Sequence, residues 1–389
     1  MTEELDRIRE IALDPFAAAR DAKKRTGKPV IGAVSSWVPD PLVIAAGGIT
    51  MRFPAGLPGR EGGTRARAHF QAASCFYCRS ILEMGLEGSL DFLDGMLFVQ
   101  SCDTQQNLSD IWKVAMPSVP VVDLYMPVNR LSSGALDYLL SEIARASDEL
   151  GAITGTKIDD DTLGSALIER FKVERSIEVL YEARRACEGR VCAVDHYGAC
   201  IASSCLPPEE SAPLIAAAIE AVGSGEMVSR SEDDEPELAC ILAGSVIPYP
   251  GIYALLDMLD VAIRDDDLSV GRRLFDHNVP SGGSPFERVA GGLLDRSPGA
   301  VKHDTGMDRG GRLGELARDA NVKHVVLPLL KFCDPWAWDY PRIRKRLSEE
   351  GVGTMLLELA GEEDLTAGPV RNRVEAYFEM DRVGDLFDV

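Results

Sequence analysis

Short β-branched apolar runs, alternating with stretches of helical spacing, constrain this chain more than any other feature. After a helix-like N-terminal segment, Pro29 to Val34 (PVIGAV), Ile49 to Phe53, Gly95 to Val99 (GMLFV) and Val119 to Leu124 (VPVVDL) read as strands. Helical spacing falls between them at Pro41 to Ala46, ended by Gly47-Gly48, at Tyr77 to Met84, and after Asp103 through Trp112. Fully apolar runs of this kind suit strands covered on both faces, and strands separated by helices imply βαβ units around a parallel sheet. From Leu131 to about Ala186 the spacing is helical with no strand, Cys187 to Cys205 follows no clear period, and Pro207 to Val222 is helical again. The alternation resumes with Leu238 to Gly244 (LACILAG), a helix over Pro250 to Ile263, strands at Val325 to Leu330 and Thr354 to Leu359, and a last helix from Pro369 to Met380. The acidic, proline-containing stretch Ser229 to Glu237 marks a linker. Three regions follow: an N-terminal α/β domain over 1–130, a mainly helical connector or substrate region over 131–235, and a C-terminal α/β domain over 236–389.

Composition narrows the partners. Of 389 residues, 46% are hydrophobic and 26% charged, an ordinary globular balance that excludes disordered and fibrous classes. Asp and Glu number 62 against 41 Lys and Arg, a net charge of −21. Such a surface repels phosphate backbones and anionic lipid, so neither nucleic acid nor a membrane is an expected partner. No stretch approaches the roughly 20 apolar residues of a membrane span, and MTEELDRIRE lacks the basic and apolar regions of a secretion signal. The expected location is the cytoplasm. Disulfides are not expected there, so the nine cysteines serve as metal ligands, catalysts or small buried hydrophobes.

Two of them share a context. MLFVQSCD is followed by a helix bearing Trp112, and VVLPLLKFCD by one bearing Trp336 and Trp338. This weak internal repeat places Cys102 and Cys333 at the carboxyl ends of strands, where open parallel sheets carry their ligands. A following helix N-terminus favours a thiolate by about 0.3–1 kcal/mol, and Asp103 and Asp334 are expected to cap those helices. Cys75 opens a third helix in SCFYCRSILE. Three thiolates meeting in a cleft suit an iron–sulfur cluster with one iron left without a cysteine. Spacing alone is satisfied equally by three buried structural cysteines.

The surrounding residues are more specific. CFYCRSILEMGLEGSLDFLDGMLFVQSCDTQQNLSDIW resembles the first cluster motif of the benzoyl-CoA reductase and 2-hydroxyacyl-CoA dehydratase family. LPLLKFCDPW, Asp265-Asp266-Asp267 and RNRVEAYFE resemble its later signatures, and the likeness runs from PVIGAVSSWVPDPLVIAAG to Met380. The resemblance implies two flavodoxin-like (Rossmann-like) parallel-sheet α/β domains with a helical insert. It implies a [4Fe-4S] cluster on Cys75, Cys102 and Cys333 near a subunit interface, in one of two paralogous iron–sulfur subunits of an anaerobic heterodimeric enzyme. A separate ATP-hydrolysing iron–sulfur activator protein would deliver one strongly reducing electron. In a dehydratase, a lyase, that electron makes a ketyl radical anion of a 2-hydroxyacyl-CoA thioester, which loses water to give an enoyl-CoA. In a reductase, an oxidoreductase, two electrons enter the ring of an aryl-CoA. A third reading is a non-catalytic subunit whose cluster only relays electrons. The chain has no GxxxxGK[ST] phosphate loop, in keeping with ATP hydrolysis on a partner.

Other residues carry alternatives. Cys78 is either a substitute ligand or a neighbour packed under the cluster. Cys187, Cys192, Cys200 and Cys205 follow no ligation spacing, and no cysteine stands near Asp265 to Asp267, where a double-cubane protein would carry an extra ligand. His196 and Tyr197 in VDHYGAC fall where the family approaches substrate, so His196 reads as a proton donor or hydroxyl-orienting group, or else as a hydrogen-bonded loop residue. Arg79 reads as a counter-charge to the cluster or a surface ion-pair partner. Glu209 and Glu210 read as a solvated helix start, Gly282-Gly283 as a turn first and a CoA phosphate contact second, and Trp112, Trp336 and Trp338 as core or interface anchors rather than electron conduits.

Overall fold

The structure, a computed structural model, describes residues 3–54, 63–229, 238–244, 246, 250–297, 299, 308–360, 365 and 368–387, with side chains as far as 380. Of the acidic linker read at Ser229 to Glu237, only Ser229 lies within the described residues.

The apolar runs of the N-terminal part form β1 (Val30–Val34), β2 (Ile49–Arg52), β3 (Gly95–Gln100) and β4 (Val121–Tyr125), with α1 (Glu3–Leu13) and α2 (Pro15–Thr26) before them. Between the strands run α3 (Asp40–Ala45), α4 (Phe76–Leu86) and α5 (Asp103–Ala115). The long helical stretch is α6 (Ala135–Thr154) and α7 (Asp160–Ala186). The ambiguous segment resolves into β5 (Arg190–Val191) and α8 (Ala193–Ala202), followed by α9 (Pro208–Ser224) and β6 (Val228–Ser229), which pairs antiparallel with β5. The second set comprises β7 (Leu238–Ala243), α10 (Gly251–Met258), β8 (Val261–Asp267), α11 (Pro285–Asp295), α12 (Arg309–Asp319), β9 (His324–Leu330), α13 (Asp334–Glu349), β10 (Gly353–Leu359) and α14 (Gly368–Phe387).

Two four-stranded parallel sheets result, ordered β2-β1-β3-β4 and β10-β9-β7-β8. The first reads 2-1-3-4, the doubly wound order of flavodoxin-like folds; the second, followed from its other edge as β8-β7-β9-β10 and numbered within itself, reads 2-1-3-4 as well. Side chains alternate between faces. Ile31, Leu97, Val99, Val122 and Leu124 pack outward on α3, α6, α7 and α11. Ile241, Val325 and Leu327 pack outward on α12 and α13. The opposite faces, with Val30, Val34, Met96 and Phe98 from one sheet and Leu242, Val326 and Leu357 from the other, share one continuous apolar layer. Helices α1, α2, α4, α8, α9 and α10 fill it. Among the described residues no helix is long and apolar enough to cross a membrane.

One element departs from its sequence reading. The helix expected over Pro250 to Ile263 stops at Met258, because Asp260 turns the chain at φ 54° and Val261 begins β8. That strand, VAIRDDD, ends in three buried carboxylates and therefore does not look like a buried strand. Gly198 in VDHYGAC is where α1 crosses α8: a Cβ there would lie 2.4 Å from the Ile8 carbonyl oxygen. Close helix packing accounts for this glycine.

Candidate metal centre

Cys102 and Cys333 cap α5 and α13, each following an inner strand of its sheet, β3 and β9, and Cys75 caps α4. The three helix starts converge at the carboxyl edges of the two sheets, where one pocket is lined by Cys75, Cys78, Cys102 and Cys333. Its walls are Val246, Leu329, Leu330 and Phe332, with Tyr77 and Gln105 at one side. Phe332 holds φ 66°, an unusual conformation for a bulky residue, immediately before Cys333. Among the described residues no three Cys, His, Asp or Glu groups close around a single ion. The thiols instead border a cavity, and a cluster's irons and sulfides occupy the space between its ligands. A soft donor set at three helix N-termini, with apolar walls, fits such a group.

The charge is not distributed as the sequence suggested. Cys75 is pulled well below the ordinary thiol range by hydrogen bonding from the Cys333 and Cys78 thiols, against burial, with the Cys78 and Tyr77 amides adding to the effect. Burial pushes Cys102 up to about 11, although the Gln105 and Thr104 amides oppose it. Cys333 and Cys78 are held protonated beside the Cys75 anion and by burial. Without a bound cation, then, the pocket favours negative charge on Cys75 over Cys78, Cys102 and Cys333. Asp103 and Asp334 do not cap their helices either; they occupy the first turn after the capping cysteines and act only through the helix dipole.

A second cavity continues the first, sharing Tyr77, Gln105 and Val246 with it. Ser35, Ser101 and Ser269 supply hydroxyls, Trp37 and Trp336 aromatic walls, and Arg52 and Arg273 a buried rear. The Arg52 guanidinium donates to Asp40 at 2.6 Å, and Arg273 donates to both oxygens of Asp267 at 2.8 and 3.0 Å, so both cations are neutralised. Sequence reading missed this cavity. Its residues are single serines and arginines, Ser35, Ser101 and Arg52 at or just after strand ends and Ser269 and Arg273 in the turn after β8, and no motif marks them.

The remaining candidates lie elsewhere. His196 is buried on α8, its Nδ1 3.1 Å from an Arg184 nitrogen and 3.8 Å from the Cys200 sulfur, its ring edge-on to Tyr181. It borders neither cavity. Burial, Arg184 and Arg272 hold it neutral, with a pKa well below the ordinary value. Cys192 caps α8 and leans on Asp257, Cys187 ends α7, and Cys200, Cys205 and Cys240 are core thiols. Asp265 pairs with Arg185 and Arg272, and Asp266 accepts from Tyr181, an interior ion network. Arg79 is no surface residue: it is buried, stacks on Phe76 at 4.1 Å and makes no ion pair with a described residue. Glu209 and Glu210 open α9 and pair with Lys28 and Arg25. Gly283 turns at φ 91° before the Ser284 cap of α11. Trp112 and Trp336 are buried and Trp338 is 82% exposed, so Trp338 is not a core residue.

The fold and site define a doubly wound α/β protein with a thiol-lined pocket at the seam of two sheets. The chain belongs to the family described as 2-hydroxyglutaryl-CoA dehydratase, D-component, whose profile matches residues 35–380. It is 25% identical over 383 residues to the beta subunit of lactoyl-CoA dehydratase of Anaerotignum propionicum, covering 97% of this chain and 98% of that one. It is 26% identical to the beta subunit of (R)-2-hydroxyglutaryl-CoA dehydratase of Acidaminococcus fermentans (92% and 93% covered) and 28% identical to a benzoyl-CoA reductase subunit of Thauera aromatica (87% and 87% covered).

Proposed function

We propose that this chain is the iron–sulfur subunit of an ATP-activated radical acyl-CoA enzyme that eliminates water from a 2-hydroxyacyl-CoA to give an enoyl-CoA. The observation that carries this reading is the meeting of Cys75, Cys102 and Cys333, distant in sequence, at one pocket. These residues would hold a [4Fe-4S] cluster, which supplies one-electron chemistry at low potential. The chain's own residues set its environment. The starts of α4, α5 and α13 stabilise negative charge on the thiolates, and Val246, Leu329, Leu330 and Phe332 keep water away from them. The adjoining cavity offers the hydroxyls of Ser35, Ser101 and Ser269 to orient a polar acyl group, between the rings of Trp37 and Trp336. His196, enclosed and neutral, acts as a packing residue in this scheme and donates no proton.

The named beta subunits among the relatives support a paralogous partner subunit, and the resemblance supports a separate ATP-hydrolysing activator with an acyl-CoA as substrate. The likeness to a benzoyl-CoA reductase favours a second reading, dearomatising reduction of an aryl-CoA. Anaerobic co-purification with the partner subunit, followed by assay with the activator, ATP and both substrate types, separates the two. Enoyl-CoA formed without net electron uptake supports dehydration; a cyclic diene formed with two electrons consumed per turnover supports reduction. Failure to bind iron and sulfide after anaerobic reconstitution removes both.

A further inference from the structure

A fourth thiol faces the same pocket. Cys78 lies one helical turn beyond Cys75 on α4, and residues three apart share a helix face. It lines the cavity together with Cys75, Cys102 and Cys333 although it is only 1% exposed. We propose that Cys78 is the fourth cluster ligand, so that Cys75, Cys78, Cys102 and Cys333 close the coordination and no iron in this chain is open to substrate.

The proposal rests on the preceding reading that a cluster binds here and specifies what that site can do. A thiol that merely packs beneath a cluster would face the apolar layer alone. Cys78 touches that layer and the pocket at once, and its thiol interacts with the Cys75 sulfur. Four thiolates concentrate more negative charge than three. The structure meets that with three helix starts and with Arg79, the next residue, a buried guanidinium with no carboxylate partner among the described residues. Four protein ligands suit a centre that accepts and passes on one electron unchanged, while a substrate oxygen needs an iron without a protein ligand.

The test uses the reconstituted full chain, kept anaerobic, and asks whether one iron is more labile than the rest. After mild ferricyanide oxidation the wild-type chain should keep about four irons, and cyanide should leave the EPR spectrum of its reduced cluster unchanged. Cys78→Ala should lose about one iron of four on oxidation, give the [3Fe-4S] signal and shift its spectrum with cyanide. A wild-type cluster that sheds about one iron of four on oxidation, or whose EPR spectrum shifts with cyanide, overturns the proposal, and this readout needs no variant to fold. A wild-type chain that binds no iron overturns the cluster reading itself, a distinguishable result.

Discussion

Cys102 and Cys333 stand at matching places in two similar sheets: each caps the helix that follows an inner strand, β3 in one sheet and β9 in the other. The two sheets present equivalent turns to a common pocket, and Cys75 joins them from α4.

Replacing either residue should therefore have the same consequence. Cys102→Ala and Cys333→Ala are expected to lose most bound iron and sulfide after anaerobic reconstitution, with unchanged far-ultraviolet circular dichroism. Cys240→Ala, in the buried middle of β7, should keep the iron and cost about 1 kcal/mol of stability. Equal iron in all three proteins would remove the pocket cysteines as ligands.

Arg273 ties the rear wall of the adjoining cavity to β8. Burial alone would raise Asp267, but the charge and hydrogen bonds of Arg273, with Arg312, hold its carboxyl below the ordinary value. Asp40 is likewise lowered, its burial outweighed by Arg52, Arg170 and Arg296. Carboxylates lowered in the folded state contribute stability above their unfolded pKa of about 3.9 and lose it as pH falls through the folded value. Arg273→Met strands a buried charge and should cost about 3–5 kcal/mol at neutral pH. Because Asp267 then prefers its proton, the cost should shrink toward about pH 4, as urea unfolding at several pH values would reveal.

His196 gives the opposite kind of test. Its pKa is depressed by burial and by Arg184 and Arg272, and that of His277 is lowered to about 2 by burial and Arg296. Below about pH 6.5 the unfolded chain takes up protons that these folded imidazoles refuse, so stability is full above that pH and declines beneath it. His196→Gln should flatten part of this decline below about pH 6.5, leaving the share of His277. It should leave the pH profile of turnover unchanged; a lost ionisation in that profile would restore His196 to a catalytic role.

Gly198 should tolerate no side chain. With a Cβ 2.4 Å from the Ile8 carbonyl oxygen, backbone and not a flexible side chain must yield, so Gly198→Ala is expected to cost about 1–3 kcal/mol. Thermal melting of the purified chain measures it, and a melting temperature equal to wild type would show that α1 is free to shift.

The strands of both sheets were legible wherever burial on two faces required an unbroken apolar run, as in β1, β3, β7 and β9. β8 was hidden because Asp265, Asp266 and Asp267 are buried in it, compensated by Arg184, Arg185, Arg272 and Arg273 from other parts of the chain. A sequence shows the carboxylates but not the cations that will surround them. The cysteine pocket was legible because thiols at strand ends repeat a local pattern. The serine and arginine cavity beside it carries no such pattern, and His196 of VDHYGAC lies buried away from both cavities.

The apolar layer between the sheets belongs to both of them. Each sheet has an outer core of its own, but parting the halves would expose the whole inner face of each to solvent. Calorimetry should accordingly record a single cooperative endotherm, and severed halves should regain structure only when mixed. The gap that the thiols border is thus anchored to the last part of the molecule that can come apart.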